Sequence, residues 1–264
     1  MVACFQTAAP GKALRPAETR LDEQVRAVDI SGLRFSWSVS SVPVLDIDSL
    51  QVDKGRRVFI EGPSGSGKST LLALLAGIVK PRYGRITVLG QALDEMHGPA
   101  RDRFRADHMG IIFQMFNLVP YLTVVENVTL PCRFSHRRRV KAMRSAGSVE
   151  AEARRLLTHL NLDHTDLLSR PVTELSVGQQ QRVAAARALM GAPEIIIADE
   201  PTSSLDAAHR KDFIELLFEE CRREDTTLVF VSHDTSLAPM FNRTLRLTQI
   251  NRADSAAAGK RRPS

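Results

Sequence analysis

Gly62-Pro63-Ser64-Gly65-Ser66-Gly67-Lys68-Ser69 fits the phosphate-binding pattern G-x-x-x-x-G-K-[ST] at every required position. The β-rich Arg57-Val58-Phe59-Ile60-Glu61 precedes it. Thr70-Leu71-Leu72-Ala73-Leu74-Leu75-Ala76 follows, a strong helix former that stops at Gly77. A strand, a glycine loop and a helix in that order separate such a site from a chance glycine-rich turn. The three glycines let the backbone fold back so that successive N–H groups point at a β-phosphate. The helix N-terminus adds its partial positive charge. Lys68 then reaches β- and γ-phosphate oxygens, and the Ser69 hydroxyl holds Mg²⁺. Gly62, Pro63, Ser64, Gly65, Ser66, Gly67 and Thr70 count with them as nucleotide-binding residues, and the expectation is a nucleoside-triphosphate site.

A chain of 264 residues accommodates one large α/β domain, or a domain plus a lobe, with a substantial core. Hydrophobic residues at 43% and charged residues at 25% are ordinary for a globular protein in water. No apolar run approaches the length of about 18 residues that a membrane span requires. Met1-Val2-Ala3-Cys4-Phe5 lacks the basic and apolar regions of a signal peptide, so a cytoplasmic protein is expected. Cys4, Cys132 and Cys221 form no C-x-x-C pair, which suggests neither a disulfide framework nor a zinc site. The net charge of +6 is uneven: Arg133, Arg137, Arg138, Arg139, Lys141 and Arg144 contain no acid among them. A solvated helix or loop face is the favoured reading of that run. Attraction to an anionic membrane surface or an acidic partner is the sharper one. Nucleic acid fits less well, because almost no aromatics interleave with these charges.

Residues 1–24 are Ala/Pro/polar with no apolar period and read as a flexible leader. Val28, Ile30, Leu33, Phe35 and Trp37 predict strands around a turn at Ser31-Gly32. The β-rich pattern continues to Val52, with a turn at Asp53-Lys54-Gly55, and Gly84 to Gly90 is a further strand. Together these predict a small antiparallel sheet. Residues 116–175, punctuated by Pro120, Pro131 and Pro171, carry Ala153, Leu156, Leu157 and Leu160 at helical spacing, which predicts an inserted helical lobe. Ser176 is placed to cap a helix over Gly178 to Met190, with Gly191 as the stop. Glu194 to Asp199 and Thr226 to Val231 read as buried strands. Ala207 to Arg223 reads as an amphipathic helix with Phe213, Leu216 and Leu217 inward. Residues 251–264 read as a flexible basic tail. The fold class is therefore α/β: a P-loop NTPase core with a mainly parallel sheet, an N-terminal antiparallel β-subdomain and an inserted α-helical subdomain, over residues 25–250.

Further stretches fit one machine. Ile195-Ile196-Ile197-Ala198-Asp199-Glu200 is a hydrophobic strand ending in two acids, about 130 residues after the phosphate loop. Asp199 would position Mg²⁺, directly or through its water shell. Glu200 would lie beyond the γ-phosphate and polarise the attacking water. In Leu175-Ser176-Val177-Gly178-Gln179, a serine and a glycine at a helix start present a hydroxyl, N–H groups and a helix dipole to an anion. As a lone motif this is an ordinary capped helix. Here the chain resembles the ATP-binding-cassette (ABC) ATPases, whose signature loop reads L-S-G-G-Q. Val177 replaces one glycine, whereas Ser176 and Gly178, which in that family face the γ-phosphate, are present together with Gln179. Gln114, in Ile112-Phe113-Gln114-Met115, resembles the family glutamine that touches Mg²⁺ and the attacking water and links the core to the helical lobe. Ser203-Ser204-Leu205-Asp206 resembles the loop that crosses the dimer interface, with Ser204 where alanine is usual. His233 resembles the switch histidine that contacts the γ-phosphate; alone it would read as a structural or surface histidine. Trp37 falls where the family stacks an aromatic ring on adenine; alone it would read as core.

The resemblance covers residues 25–250 and implies ATP with Mg²⁺ in a head-to-tail homodimer. Each nucleotide would lie between Lys68 of one copy and Ser176 of the other. Arg105 to Pro120 and Val124 to Val128 resemble the ATPase subunits of lipoprotein-release and macrolide-efflux type transporters. That likeness implies an integral membrane permease, with a periplasmic or membrane-fusion partner reached through it. It places the chain peripherally on the cytoplasmic face of the inner membrane, and no nucleic-acid partner is expected. An importer ATPase is a same-class alternative. A soluble ABC ATPase acting on nucleic acid would usually carry tandem cassettes or a long coiled-coil insertion, and the sequence shows neither. A small-molecule kinase would leave Ser176 to Gln179 and His233 without purpose.

Overall fold

Val28, Ile30, Leu33 and Phe35 are all buried, and they lie on one strand, β1 (Arg26–Phe35), rather than on two around a turn. In the computed structural model, which describes residues 25–38, 42–162 and 165–253, Gly32 has φ +59 and absorbs the break in alternation between Ile30 and Leu33. The register of β1 against β4 (Tyr83–Val88) shifts between Ser31 and Arg34. The expected turn is thus a bulge in a continuous strand. A strand paired on both sides keeps its ladder by absorbing the irregularity locally. With β2 (Leu45–Asp53) and β5 (Gln91–Ala92) it forms a four-stranded antiparallel sheet in the order β2-β1-β4-β5.

After the Asp53-Lys54-Gly55 turn the chain enters β3 (Arg57–Glu61), part of a second sheet with β6 (Met109–Ile112), β7 (Ile195–Asp199), β8 (Thr227–Ser232) and β9 (Arg243–Arg246). Its order is β6-β7-β8-β3-β9, and every pairing in it is parallel. Because successive side chains point to opposite faces, Phe59, Ile196, Ala198, Leu228 and Phe230 enter one core, while Val58, Ile60, Ile197, Val229 and Val231 enter the other. The second core lies against the antiparallel sheet and α1 (Lys68–Leu75), which buries Leu71, Leu72, Leu74 and Leu75.

The other face is covered by helices. After α2 (Gly98–His108), the interval between β6 and β7 holds α3 (Val124–Thr129), α4 (Pro131–Phe134), α5 (His136–Ala146), α6 (Val149–His159), α7 (Thr165–Leu168) and α8 (Val177–Leu189). Ala153, Leu156, Leu157 and Leu160 are fully buried, as their spacing predicts. The segment α9 (Ala207–Arg223) has the expected bounds, with Phe213 and Leu217 buried and Leu216 partly so. A short α10 (Leu247–Ile250) follows β9.

Two expectations about polar segments change. Arg138 of the basic run is 3% exposed and donates to the carbonyls of Met190 and Ala188, both at 2.7 Å, and of Met109 at 3.1 Å. Lys141 donates to the Ala192 carbonyl at 2.7 Å and, like Arg137, pairs with Glu194. The last carbonyls of a helix have no donors of their own, and the negative end of its dipole favours cations. Half of the run therefore fastens α5 to the end of α8 and the start of β7; Arg133, Arg139 and Arg144 are exposed. The second change is at Asn251, assigned by sequence to the tail but only 3% exposed. Its amide donates to the Val44 carbonyl at 2.9 Å and accepts from the Asp46 N–H at 2.8 Å, so the folded chain continues through Ala253. The leader at 1–24 and the tail beyond residue 253 lie outside the described residues.

Candidate functional site: a nucleotide cleft at the strand ends

In a parallel sheet the loops leaving the carboxyl ends of the strands meet on one side. Register fixes which residues meet here: Glu61 lies opposite Ser232, Asp199 opposite Val231 and Ile112 opposite Ala198. Gly62, His233, Glu200 and Gln114 therefore leave the sheet on the same edge. Ser64, Gly65, Gly67, Lys68, Ser69, Thr70, Gln114, Asp199, Glu200 and His233 line one cleft there of about 550 Å³, with Val44 on its wall.

The phosphate loop closes over its own lysine. Lys68 is 7% exposed, and its ammonium donates to the Gly62 carbonyl at 2.8 Å and the Pro63 carbonyl at 2.9 Å. Gly67 precedes α1 with φ +97, and a Cβ there would stand 2.8 Å from Leu45 Cδ2. The position thus needs glycine both for its backbone angle and for the approach of β2. Ser66 is buried, and its hydroxyl has no hydrogen-bond partner. Asn251 reaches the loop from the far end of the chain, donating to the Ser66 carbonyl at 3.4 Å.

The two acids occupy different environments. Burial pushes the Asp199 carboxyl up; a hydrogen bond from the Ser69 hydroxyl and the nearby Lys68 charge oppose this, and Glu200 adds to it. Glu200 has φ +45, a left-handed conformation that is strained for a non-glycine residue and concentrates at functional sites. Its N–H donates to the Val231 carbonyl at 2.9 Å, which binds the strained residue to β8. One carboxylate oxygen stands 3.6 Å from the Lys68 ammonium and the other 2.5 Å from His233 Nδ1. The carboxylate is thereby aimed from both sides.

The donor set fits a nucleotide with Mg²⁺. Ser69, Asp199 and Gln114, all lining the cleft, offer oxygen atoms, the ligands a hard cation takes. Among the described residues no group of three or more His, Cys, Asp or Glu could form an all-protein metal cage. Mg²⁺ commonly binds through one or two protein oxygens, waters and substrate phosphates instead.

Other predicted residues lie apart from this cleft. Ser176 caps α8: its hydroxyl accepts from the Gln179 N–H at 3.4 Å, while the Gln179 side chain accepts from the Ser176 N–H at 2.9 Å. That reciprocal cap holds Gly178 and the exposed Val177 at the helix start. Asp206 caps α9, accepting from the His209 N–H at 3.0 Å. Trp37 stands beyond β1, 61% exposed, its ring perpendicular to that of Phe35 and outside the cleft lining. A larger cleft of about 940 Å³ lies at the opposite, amino-terminal end of the parallel strands. It carries both signs of charge, Lys54 and Arg137 with Asp53 and Glu194, and none of the predicted residues. Sequence reading missed Val44 and Asn251, which no periodicity marks, and Arg187, whose partners are about 70 residues away.

The chain is similar to known proteins over most of its length. The profile of the family described as ABC transporter matches residues 45–203. An uncharacterized ABC transporter ATP-binding protein, YbbA of Escherichia coli (strain K12), is 42% identical over 200 residues, covering 75% of this chain and 83% of that one. The lipoprotein-releasing system ATP-binding protein LolD of Porphyromonas gingivalis (strain ATCC BAA-308 / W83) is 38% identical, covering 80% and 92%. The macrolide export ATP-binding/permease protein MacB of Burkholderia pseudomallei (strain K96243) is 39% identical over 81% of this chain, which spans 31% of that longer protein. Among solved structures, the ATP-binding cassette MJ0796, a dimer in a post-hydrolysis state bound to ADP and Pi, superposes with a TM-score of 0.73. It is 32% identical, covering 83% of this chain and 93% of that one. On the family match over residues 45–203 and relatives 38–42% identical over three quarters or more of its length, the chain belongs to the ABC transporter family and is an ABC-type ATPase.

Proposed function

We propose that the chain is the ATP-hydrolysing subunit of a transporter of the lipoprotein-release or macrolide-efflux type. It works as a head-to-tail homodimer on a separate integral permease, at the cytoplasmic face of the inner membrane. The observation that carries this reading is the division of the site. Lys68, Ser69, Gln114, Asp199, Glu200 and His233 share one cleft, while the Ser176 and Gly178 end of α8 is outside it. A second copy related head to tail would bring Ser176 and Gly178 to the γ-phosphate held by Lys68. The dimeric cassette supports the pairing of two copies, and the lipoprotein-releasing and macrolide-export relatives support the transporter class.

Lys68 and the loop N–H groups hold the β- and γ-phosphate oxygens. Ser69 and Asp199, with Gln114 beside them, would hold Mg²⁺, which neutralises charge on the phosphates. Glu200, aimed by Lys68 and His233, accepts a proton as water oxygen attacks the γ-phosphorus. The bond to the β,γ-bridging oxygen breaks, giving ADP and inorganic phosphate. Lys68, the α8 N-terminus of the second copy and His233 stabilise the charge that develops.

Among the described residues no helix is long and apolar enough to cross a membrane, and in this reading the permease docks on the surface of the chain. An apolar hollow of about 450 Å³ beside the Gln114 loop suits that contact. Phe113, Leu130, Pro131 and the 66% exposed Phe134 line it. Glu200→Gln tests the chemistry: ATP binding and nucleotide-dependent dimerisation should persist while turnover falls about 100-fold or more. Near-normal turnover in that variant would overturn the assignment. Copurification of a permease in mild detergent tests the assembly.

A further inference from the structure

Arg187 lies in the last turn of α8, partly buried. Its Nη1 donates to the Asn117 carbonyl and its Nη2 to the Phe116 carbonyl, each at 2.6 Å. Burial lowers its pKa, and no neighbouring acid counters that effect. A half-buried guanidinium that spends both terminal nitrogens on two backbone carbonyls gives up part of its hydration to do so, so what it holds is informative.

The two carbonyls belong to an unusual stretch. Phe116 and Asn117 are consecutive non-glycine residues in the left-handed region, with φ of 60 and 49. L-residues resist that conformation. The pair closes the chain reversal whose central residues are Gln114 and Met115. The hydrogen bonds made by the stretch itself are local, Phe116 N–H to the Phe113 carbonyl at 2.9 Å and Asn117 N–H to the Met115 carbonyl at 2.6 Å. The fork of Arg187 ties the reversal to another element.

We infer that Arg187 is a positioning residue for ATP hydrolysis: it clamps the Phe116-Asn117 reversal and thereby sets where Gln114 stands in the cleft. The same rod, α8, carries Ser176 and Gly178 at its other end, about 14 to 17 Å from Arg187 at the helical rise per residue. Arg138 grips the neighbouring carbonyls of Ala188 and Met190, so the end of α8 is anchored where Arg187 acts. Arg187 also lines the apolar hollow assigned to the permease. One side chain thus meets the Gln114 loop, the signature helix and the hollow.

The inference rests on Gln114 serving Mg²⁺ and the attacking water, and the test separates the two ideas. Arg187→Ala, Arg187→Lys, Gln114→Ala and the Arg187→Ala/Gln114→Ala double variant are made in the full chain. Measured are kcat and KM for MgATP, and amide hydrogen exchange of residues 113–118 in nucleotide-free protein. Arg187→Ala should lower kcat about tenfold or more with KM within about twofold, since a misplaced loop, not a lost phosphate contact, is the defect. Exchange over 113–118 should rise severalfold while that of α1 is unchanged. Arg187→Lys, which keeps the charge but not the planar fork that reaches both carbonyls, should fall between. In the double variant Arg187→Ala should cost less than about twofold beyond Gln114→Ala, because both act through one side chain. Unaltered exchange over 113–118, a full tenfold loss on top of Gln114→Ala, or an equal rise of exchange in α1 would each overturn the inference. If Gln114→Ala itself leaves kcat unchanged, the assignment of Gln114 fails instead, and the exchange result alone decides whether the clamp exists.

Discussion

Lys68 and Arg138 are both buried cations, 7% and 3% exposed, and both donate to backbone carbonyls. Their surroundings differ in what is left over. Arg138 Nε, Nη1 and Nη2 each end on a carbonyl, those of Met190, Met109 and Ala188, and these belong to a helix end and a neighbouring strand. Burial pulls its pKa down to about 10, yet the guanidinium stays charged at neutral pH. Lys68 uses two carbonyls of its own loop, and its nearest acid is Glu200 at 3.6 Å, too far for a strong hydrogen bond. Its ammonium also opens on the nucleotide cleft. Space alone does not separate them, because Arg138 also borders the apolar hollow: a buried cation is a binding group when donor capacity is left over beside a cleft, and a structural one when the fold engages every nitrogen it has.

The widest gap between them should appear on deleting each charge. Lys68→Ala should reduce kcat about 100- to 1000-fold, the cost of removing one preorganised donor from a phosphoryl-transfer site, with the urea midpoint little changed. Arg138→Met, similar in length but without donors, should do the reverse. It leaves three buried carbonyls without their partner and should destabilise the fold by about 3 kcal/mol. The KM for ATP of the folded protein should stay within about twofold. Urea denaturation and steady-state kinetics on the two variants check both statements. A stability loss in Lys68→Ala matching that of Arg138→Met would erase the distinction.

The sequence showed Lys68 plainly and concealed Arg138, for a physical reason. A phosphate loop constrains the backbone itself, so Gly67, Lys68 and Ser69 must appear at fixed spacing. The apolar runs inside β7 and β8 are equally forced, because strands buried on both faces read as near-continuous apolar runs. Ser176 was legible as a cap because a serine stands just before a helix-forming run, and the structure adds the reciprocal bond from Gln179. A basic run states charge but not direction. The usable signal in α5 was Ala142, four residues after Arg138 and also buried, which places both on one inward face. Gly32 misled because a bulge and a turn break alternation in the same way. Asn251 and Arg187 act through partners far away in the chain, so no local pattern could reveal them.

The smallest effect concerns Glu194, which serves the outer cations of the same helix. Burial would raise its carboxyl pKa, but hydrogen bonds from His108, Arg137 and Lys141 outweigh this and hold it well below the usual carboxylate range. A carboxyl depressed on folding contributes stability that is fully present above its unfolded pKa, about 4.3. That contribution fades as pH falls through the folded value. Wild-type stability should therefore drop more steeply below about pH 4.5 than that of Glu194→Gln. At neutral pH the two should differ by about 1 kcal/mol, a modest figure because Arg137 is 48% exposed and its pairing is screened by solvent. Urea midpoints followed from about pH 7 to pH 3 measure this. Parallel curves for the two proteins would mean that Glu194 adds nothing to the seating of α5, and that the three carbonyl bonds of Arg138 hold the helix without it.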